Sequence, residues 1–328
     1  MSINKLLSSV YTGIFKFFPP FINSYLSKIF KKLHDLNLKS SYSSDFLSEM
    51  NIENSKFKLW LMKNDSQAQS VYQPLHKKKI TYEAVMIKTL ISVEKKLKPS
   101  NFFDIGSFMG YYSCFVSKYF DEKIKVFAIE SNKEYCNYIN KSLKENNFKN
   151  VVVINEILSN IEEDLFVYKE GVYKSNILNK DQKSNKSNTL DNICLEKKIK
   201  PEIMKIDVHG AEGKVLYGSK KILSEFVKVI LLELHTDEYI NKFSEGLNRK
   251  KIIEYLILSN FKCYLVSSFR EFEESKDLQE KYHKKGKFDY IKVDLENFDQ
   301  IFFDRDQTDQ FIFVCKNDID INNFDCFN

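Results

Sequence analysis

One short segment constrains the fold of this chain more than any other, the run FFDIGSFMGYYS at residues 102–113. An apolar strand there ends in Asp104, turns through Gly106 and Gly110, and enters a helix. Glycines in such a turn remove Cβ atoms, so a ligand can lie against the main chain, and the following helix offers unpaired N–H groups to an anion. The segment predicts a ligand-binding turn, although a merely tight strand-to-helix connection is the alternative reading.

The spacing of the two glycines separates this turn from the dinucleotide fingerprint G-x-G-x-x-G. Phe108 stands where that fingerprint requires its second glycine. An NAD(P)-dependent oxidoreductase, which shares the fold, is therefore the weaker of two enzyme readings.

Apolar runs alternate with amphipathic helical segments along most of the chain. The runs expected to form strands are 101–105, 124–129, 151–154, 203–208, 227–234, 261–267 and 311–315, and the clearest helices are 82–97, 133–146 and 247–258. Strands and helices that alternate in this way predict right-handed βαβ crossovers and a doubly wound α/β sheet. Residues 161–188 interrupt the rhythm and predict a surface hairpin or loop.

The chain is expected to divide at about residue 80. Residues 1–80 are aromatic-rich and lack the later alternation, so they predict a helical N-terminal appendage, and residues 81–328 predict the catalytic domain. Residues 6–30 are apolar with interspersed lysines, a pattern that favours packing on the body or contact with a membrane surface. Charged residues and a Pro-Pro pair interrupt this stretch, which excludes a single spanning helix.

Composition limits the partners and the compartment. The 50 basic and 45 acidic side chains give a net charge of +5 and are spread in short clusters, which disfavours nucleic-acid binding. The six cysteines show no metal-ligand spacing, so no metal site built on cysteine is expected, and any metal requirement stays open. Several lie in apolar runs as free thiols would, which favours the cytoplasm.

Several polar residues are placed to bind a cofactor. Glu130 ends the second strand about twenty residues after the glycine turn, where doubly wound folds commonly hold a ribose. Asn155 and Glu156 follow the third strand and are candidates for adenine contact. Glu83 lies on the helix before the first strand and either reaches the cofactor or only favours the start of that helix.

Two pairs of polar residues close the fourth and fifth strands. Asp207 and His209 follow one, and Glu233 and His235 end the other, so both pairs are expected at the carboxyl edge where ligands bind. An imidazole has an ordinary pKa near neutrality, which makes His235 the first candidate for a general base, with Asp207 and His209 beside it. Glu212 is expected to stabilise the start of the next helix.

At this point the chain resembles the FkbM-type methyltransferases, from about Tyr82 through His235. The blocks that carry the resemblance are residues 103–113, 128–132, 189–191, 204–212 and 231–235. The family usually has an acid where this chain has His209 and a proline where it has Ser131.

The resemblance implies a seven-stranded Rossmann-like sheet with an antiparallel last strand and S-adenosylmethionine as methyl donor. It implies O-methylation of a small-molecule or glycan acceptor, such as a saccharide, lipid or secondary metabolite. Asp104, Gly106 and Gly110 carry over as the turn facing the methionine end of the cofactor, and Glu130 as the ribose ligand. The acceptor and the oligomeric state stay open, and a binding module that keeps the fold without catalysis is a further alternative.

Overall fold

The computed structural model describes residues 45–63, Asp65, Ala68 and residues 81–168, 171–174, 185–266, 287–305 and 308–327. The strands are Phe46–Ile52 (β1), Ser55–Leu61 (β2), Asn101–Ile105 (β3), Lys125–Glu130 (β4), Val151–Asn155 (β5), Ile157–Leu158 (β6), Asp164–Tyr168 (β7), Gly171–Lys174 (β8), Asn185–Asn188 (β9), Ile203–Ile206 (β10), Val229–Leu234 (β11), Phe261–Val266 (β12), Tyr290–Val293 (β13) and Gln310–Lys316 (β14). The α-helices are Ala84–Leu97 (α1), Tyr111–Tyr119 (α2), Lys133–Asn146 (α3), Leu190–Lys197 (α4), Glu212–Tyr217 (α5), Lys220–Glu225 (α6), Asp237–Phe243 (α7), Arg249–Leu258 (α8) and Phe298–Phe302 (α9).

The central sheet confirms the predicted doubly wound α/β class. Its strand order is β13-β12-β14-β11-β10-β3-β4-β5. The five strands from β11 to β5 are parallel, and β14 inserts antiparallel between β11 and β12. Seven of these strands match the predicted ones. The eighth, β13, pairs antiparallel with β12 at the edge and was not predicted.

The order of the strands fixes where a ligand can bind. From β3 the chain winds outward through β4 and β5, then returns to place β10 on the other side of β3. The boundary between β3 and β10 is therefore a topological switch point, and the crevice outside the carboxyl ends of these strands is where open α/β sheets bind ligands.

Helices cover both faces of the sheet because its central strands are buried on both sides and mostly apolar. All six residues of β11 and all four of β10 are buried. On one face α1, α2 and α3 pack over the sheet, with Phe115 fully buried among them. On the other face lie α4, α5, α6 and α8, with Leu216 and Ile253 in their core. Strands with no solvent-facing side are what a parallel sheet between two helical layers requires.

The predicted helical character of residues 1–80 is wrong at residues 46–61. Residues 46–61 form the β1–β2 hairpin, whose turn residues Glu53 and Asn54 both have positive φ, 46° and 65°. Alternate residues such as Met50 and Leu59 face inward, a period of two that the aromatic content masked. Residues 1–44 and 69–80 lie outside the described residues, so the expected membrane or packing contact of residues 6–30 is untested.

The segment between β5 and α4 contains the predicted surface hairpin. Strands β7 and β8 pair antiparallel, and β9 pairs with β7 and with β6. Among the helices of the described residues, none is long and apolar enough to cross a membrane.

Candidate active site

The glycine turn joins β3 to α2 and lies against the end of β10. Gly106 has φ +75°, and a Cβ on it would lie 1.8 Å from the carbonyl oxygen of Asp207. Gly110 has φ +86°, and its Cβ would approach the side chain of Ile139 on α3 at 3.2 Å. From the sequence, the missing Cβ atoms of these glycines were expected to leave space for the cofactor. In the structure neighbouring protein atoms take up that space, and both glycines are also required by their left-handed backbone.

Asp104 is fully buried at the end of β3, beside the turn. Its Oδ2 accepts a hydrogen bond of 2.6 Å from the Ser113 hydroxyl, and its Oδ1 lies 3.9 Å from Nζ of Lys205. Burial raises the pKa of Asp104, and the Lys205 ammonium opposes that rise. Oδ1 is buried and has no hydrogen bond to the described residues, so one oxygen is left for a further donor.

Glu130 ends β4 and holds the glycine turn in place. Its Oε2 accepts from the backbone N–H of Phe108 at 2.9 Å, and its Oε1 accepts from that of Asn132 at 2.8 Å. Burial raises its pKa to about 7, although both N–H groups stabilise the ionised form. Its Oε1 also accepts from the Ser131 hydroxyl at 3.3 Å. A carboxylate offers about four lone-pair positions, so one remains for a hydroxyl donor, and a second if the Ser131 hydroxyl turns away.

The other predicted cofactor residues lie around the same edge. The amide of Asn155 donates to the carbonyls of Glu130 and Ser131, at 2.9 Å each, and so fixes the loop after β4. Glu156 is half-buried beside it, and burial raises its pKa. Contact of either residue with adenine stays a prediction.

Glu83 is the N-cap residue of α1 and contacts the helix that follows the turn, α2. It is buried, has φ +49° and makes no capping hydrogen bond from its side chain to the helix. Its Oε2 accepts instead from the hydroxyl of Tyr112 at 2.6 Å. The carboxyl group therefore points into the interior beside the turn and does not serve as a helix cap.

The predicted catalytic residues come together at the ends of β10 and β11. The rings of His209 and His235 have centroids 4.9 Å apart, and Nε2 of His235 lies 3.9 Å from Oδ1 of Asp207. Burial alone would raise the pKa of Asp207, but Lys205 and the two histidines hold it well below its usual range. Asp207 is thus an ionised carboxylate at this edge.

Glu212 has a role that the sequence argument did not assign. It begins α5 and accepts from the backbone N–H of Gly210 at 2.9 Å, as a residue stabilising the helix start would. Its Oε1 also lies 2.7 Å from Nδ1 of His235, and because a carboxylate only accepts, the ring donates. Burial alone would lower the pKa of His235, but Glu212, Glu233 and Asp207 outweigh it and raise the pKa to about 10.

Sequence reasoning also missed Lys205, the central cation of the site. It is 3% exposed in the middle of β10, with Nζ 3.2 Å from Oδ2 of Asp207 and 3.3 Å from the carbonyl oxygen of Gly106. Its ammonium also lies 5.2 Å from the ring centroid of Tyr112. A lysine inside an otherwise apolar buried strand was the available signal, since such a charge must be paired.

The FkbM methyltransferase domain matches residues 104–274, slightly more than half of the chain, and the match begins at the acid that opens the glycine turn. The chain belongs to the FkbM methyltransferase family. The resemblance drawn from the sequence blocks is confirmed, and the antiparallel β14 agrees with the sheet that it implied.

Solved structures with similar folds are distant from this FkbM-family chain. Precorrin-6y C5,15-methyltransferase from Geobacter metallireducens GS-15 is 16% identical over 73% of this chain and 91% of its own, with a TM-score of 0.38. The plantazolicin methyltransferase BamL, solved with a substrate analogue and SAH, is 12% identical over 76% and 91%, with a TM-score of 0.41. An FkbM methyltransferase from Methylobacillus flagellatus KT is 14% identical over 70% of this chain and 54% of its own, with a TM-score of 0.36. Comparison with curated proteins found no significant match.

Proposed function

We propose that this methyltransferase uses S-adenosylmethionine to methylate a hydroxyl group of a saccharide, lipid or secondary metabolite. One observation carries the proposal. At the switch point the glycine turn meets the sheet edge formed by Asp207, His209 and His235, here called the acceptor edge. The N–H of Asp207 donates to the carbonyl of Ile105 at 3.0 Å, and Lys205 contacts both Gly106 and Asp207. A donor bound at the turn and an acceptor bound at the edge would therefore be neighbours.

The residues around the turn fit this cofactor. S-adenosylmethionine carries an ammonium and a sulfonium, and the buried Oδ1 of Asp104 has no hydrogen bond to the described residues. The carboxylates of Asp104, Asp207, Glu83 and Glu233 all act on Lys205, and with the protonated His235 and its partner Glu212 the site holds two cations against five acids. Such an excess of negative charge favours a cationic ligand. Glu130 is placed to accept from a ribose hydroxyl, and from both if the Ser131 hydroxyl turns away.

Bound S-adenosylmethionine supplies a methyl group that is already activated by its sulfonium. The protein's own residues must align the acceptor oxygen and manage the proton of its hydroxyl. Asp207 is ionised, and its Oδ1 makes no hydrogen bond to the described residues, so it is suited to accept from that hydroxyl. His209 lies beside it at the same edge.

The sequence-based choice of His235 as general base loses its physical basis. That choice assumed a pKa near neutrality, whereas the acids around the ring raise the pKa to about 10. At neutral pH the ring then already carries the proton that a base would have to accept. We propose instead that His235 shapes the acceptor edge, anchored by Glu212.

Isothermal titration calorimetry with S-adenosylmethionine, SAH and NADH tests the cofactor assignment. We expect S-adenosylmethionine and SAH to bind and NADH not to bind. Glu130→Ala should weaken binding by about 1–3 kcal/mol through lost charged hydrogen bonds. Glu134→Ala is the matched control, because it removes an exposed glutamate from the start of α3. Binding of NADH, together with no detectable heat of binding for S-adenosylmethionine or SAH, would refute the proposal.

The acceptor chemistry needs a separate assay. Methyl-labelled S-adenosylmethionine should transfer its label to hydroxyl-bearing acceptors as an ether that survives mild alkali. Label released by alkali would indicate an ester, and label on nitrogen would also contradict O-methylation, while the methyltransferase assignment would stand.

A further inference from the structure

Three potential metal ligands converge where β10 and β11 end. The ligand atoms of Asp207, His209 and His235 all lie within 4.8 Å of one another. The closest measured pair, Nε2 of His235 and Oδ1 of Asp207, is 3.9 Å apart. Ligand atoms about 2.0–2.2 Å from a shared ion lie about 3 Å or slightly more from one another. Side-chain movements of about 1 Å would close the set around an ion.

One of these ligand atoms is buried without a hydrogen bond, and a second makes only a long contact. Oδ1 of Asp207 is buried and makes no hydrogen bond to any described residue, although Oδ2 contacts Lys205. The His235 side chain is 5% exposed, and within the described residues its Nε2 has only the 3.9 Å approach to Asp207. A buried polar atom without a partner costs about 1–3 kcal/mol. Oδ1 of Asp207 therefore points to a further ligand, and the adjacent Nε2 of His235 is placed to bind the same one.

Glu212 orients His235 as a metal site requires. It pairs with Nδ1 at 2.7 Å and is itself fully buried on α5. Metal-binding histidines almost always donate their second ring N–H to a carboxylate or carbonyl, which directs the other nitrogen at the metal. The pairing with Glu212 therefore leaves Nε2 to bind an ion, which must displace the proton that this nitrogen carries at neutral pH.

The surroundings favour a cation and indicate its class. Glu83 and Glu233 each have a carboxylate oxygen within 4.8 Å of one on Asp207. Two imidazoles and one carboxylate suit a divalent first-row transition metal better than Mg²⁺ or Ca²⁺, which prefer oxygen ligands. We propose that Asp207, His209 and His235 bind such a divalent ion at the acceptor edge.

The ion would give the acceptor edge a second means of proton removal, in which Asp207 holds the ion instead of accepting from the hydroxyl. A metal-bound hydroxyl is a much stronger acid than a free one, and its proton can leave to solvent. This catalytic use rests on the proposed O-methylation, whereas the binding of the ion does not.

Binding of Mn²⁺ to the full chain, followed by loss of the free-ion EPR signal, tests the site. We expect one tight equivalent in the wild type. Asp207→Asn and His209→Ala should weaken binding at least about tenfold, and Glu212→Gln by about 10–100-fold. His209→Asp keeps three ligands and should retain Mn²⁺ binding. Circular dichroism and SAH calorimetry establish that each variant is folded.

A neighbouring set supplies the matched control, because Glu233, His235 and Asp309 also have ligand atoms within 4.8 Å of one another. Asp309→Asn should leave Mn²⁺ binding unchanged. The proposal is overturned if the wild type binds no Mn²⁺, or if Asp309→Asn abolishes binding that His209→Ala retains. A protein that binds SAH but not Mn²⁺ would reject the metal site and leave the cofactor assignment standing. A protein that binds Mn²⁺ but not SAH would reject the cofactor assignment and leave the metal site standing.

Discussion

Replacing Gly106 with alanine should destabilise the protein far more than the same change at Gly246. Both glycines have similar positive φ, +75° and +78°, so alanine suffers comparable backbone strain of about 1–2 kcal/mol at each. The added Cβ at Gly246 has no heavy atom within 4 Å, whereas at Gly106 it would lie 1.8 Å from the Asp207 carbonyl oxygen. Overlap with backbone forces β3 and β10 apart, which adds about 1–3 kcal/mol.

We therefore expect Gly106→Ala to lose about 2–5 kcal/mol of unfolding free energy and Gly246→Ala about 1–2 kcal/mol. Urea denaturation followed by circular dichroism measures both, with an unchanged slope as the check on two-state behaviour. Gly106→Ala should also weaken SAH binding, since the turn must shift, while Gly246→Ala should not. Equal losses in the two variants would show that the contact with Asp207 does not determine the glycine requirement.

Two further predictions concern buried charges. The pKa of Glu130 is raised to about 7, so the ionised fraction of this ribose ligand increases about tenfold between pH 6 and 8. Calorimetry should therefore show a similar increase in S-adenosylmethionine affinity, and Glu130→Gln should remove it. Because its folded-state pKa exceeds the ordinary 4.5, Glu130 contributes to the free energy of unfolding below pH 4.5 and loses that contribution as the pH rises through about 7. An unfolding free energy that instead rises over this range in the wild type, relative to Glu130→Gln, would contradict this sign. Lys205→Met removes the ammonium held between Asp104 and Asp207 and should lower the free energy of unfolding by about 3–5 kcal/mol in urea denaturation. A loss below about 1 kcal/mol would mean that the two buried carboxylates are stable without this ammonium.

The sequence predicted the elements whose periodicity is strong and local. Strand β3 and helix α3 begin and end where the pattern placed them, because an apolar run bounded by turn residues and an amphipathic stretch capped by Asn132 each determine their own limits. The β1–β2 hairpin was missed because its inward-facing residues alternate with polar ones within a stretch that is aromatic overall.

The chemistry of the site was less accessible than its location. Strand ends identified Asp207, His209 and His235 as neighbours, since parallel strands share one carboxyl edge. The ionisation of His235 depends on Glu212, whose side chain reaches it from another element, and spacing along the chain does not encode that contact. Lys205 was overlooked because its partners Asp104 and Asp207 meet only when β3 and β10 pair.

A crystal structure of the protein with SAH tests the central claim most directly, because it locates donor and acceptor sites together. The account predicts the ribose hydroxyls on Glu130, the homocysteine end at the Gly106 turn, and the sulfur facing the edge formed by Asp207, His209 and His235. SAH bound away from Glu130, or with its sulfur directed away from that edge, would contradict it.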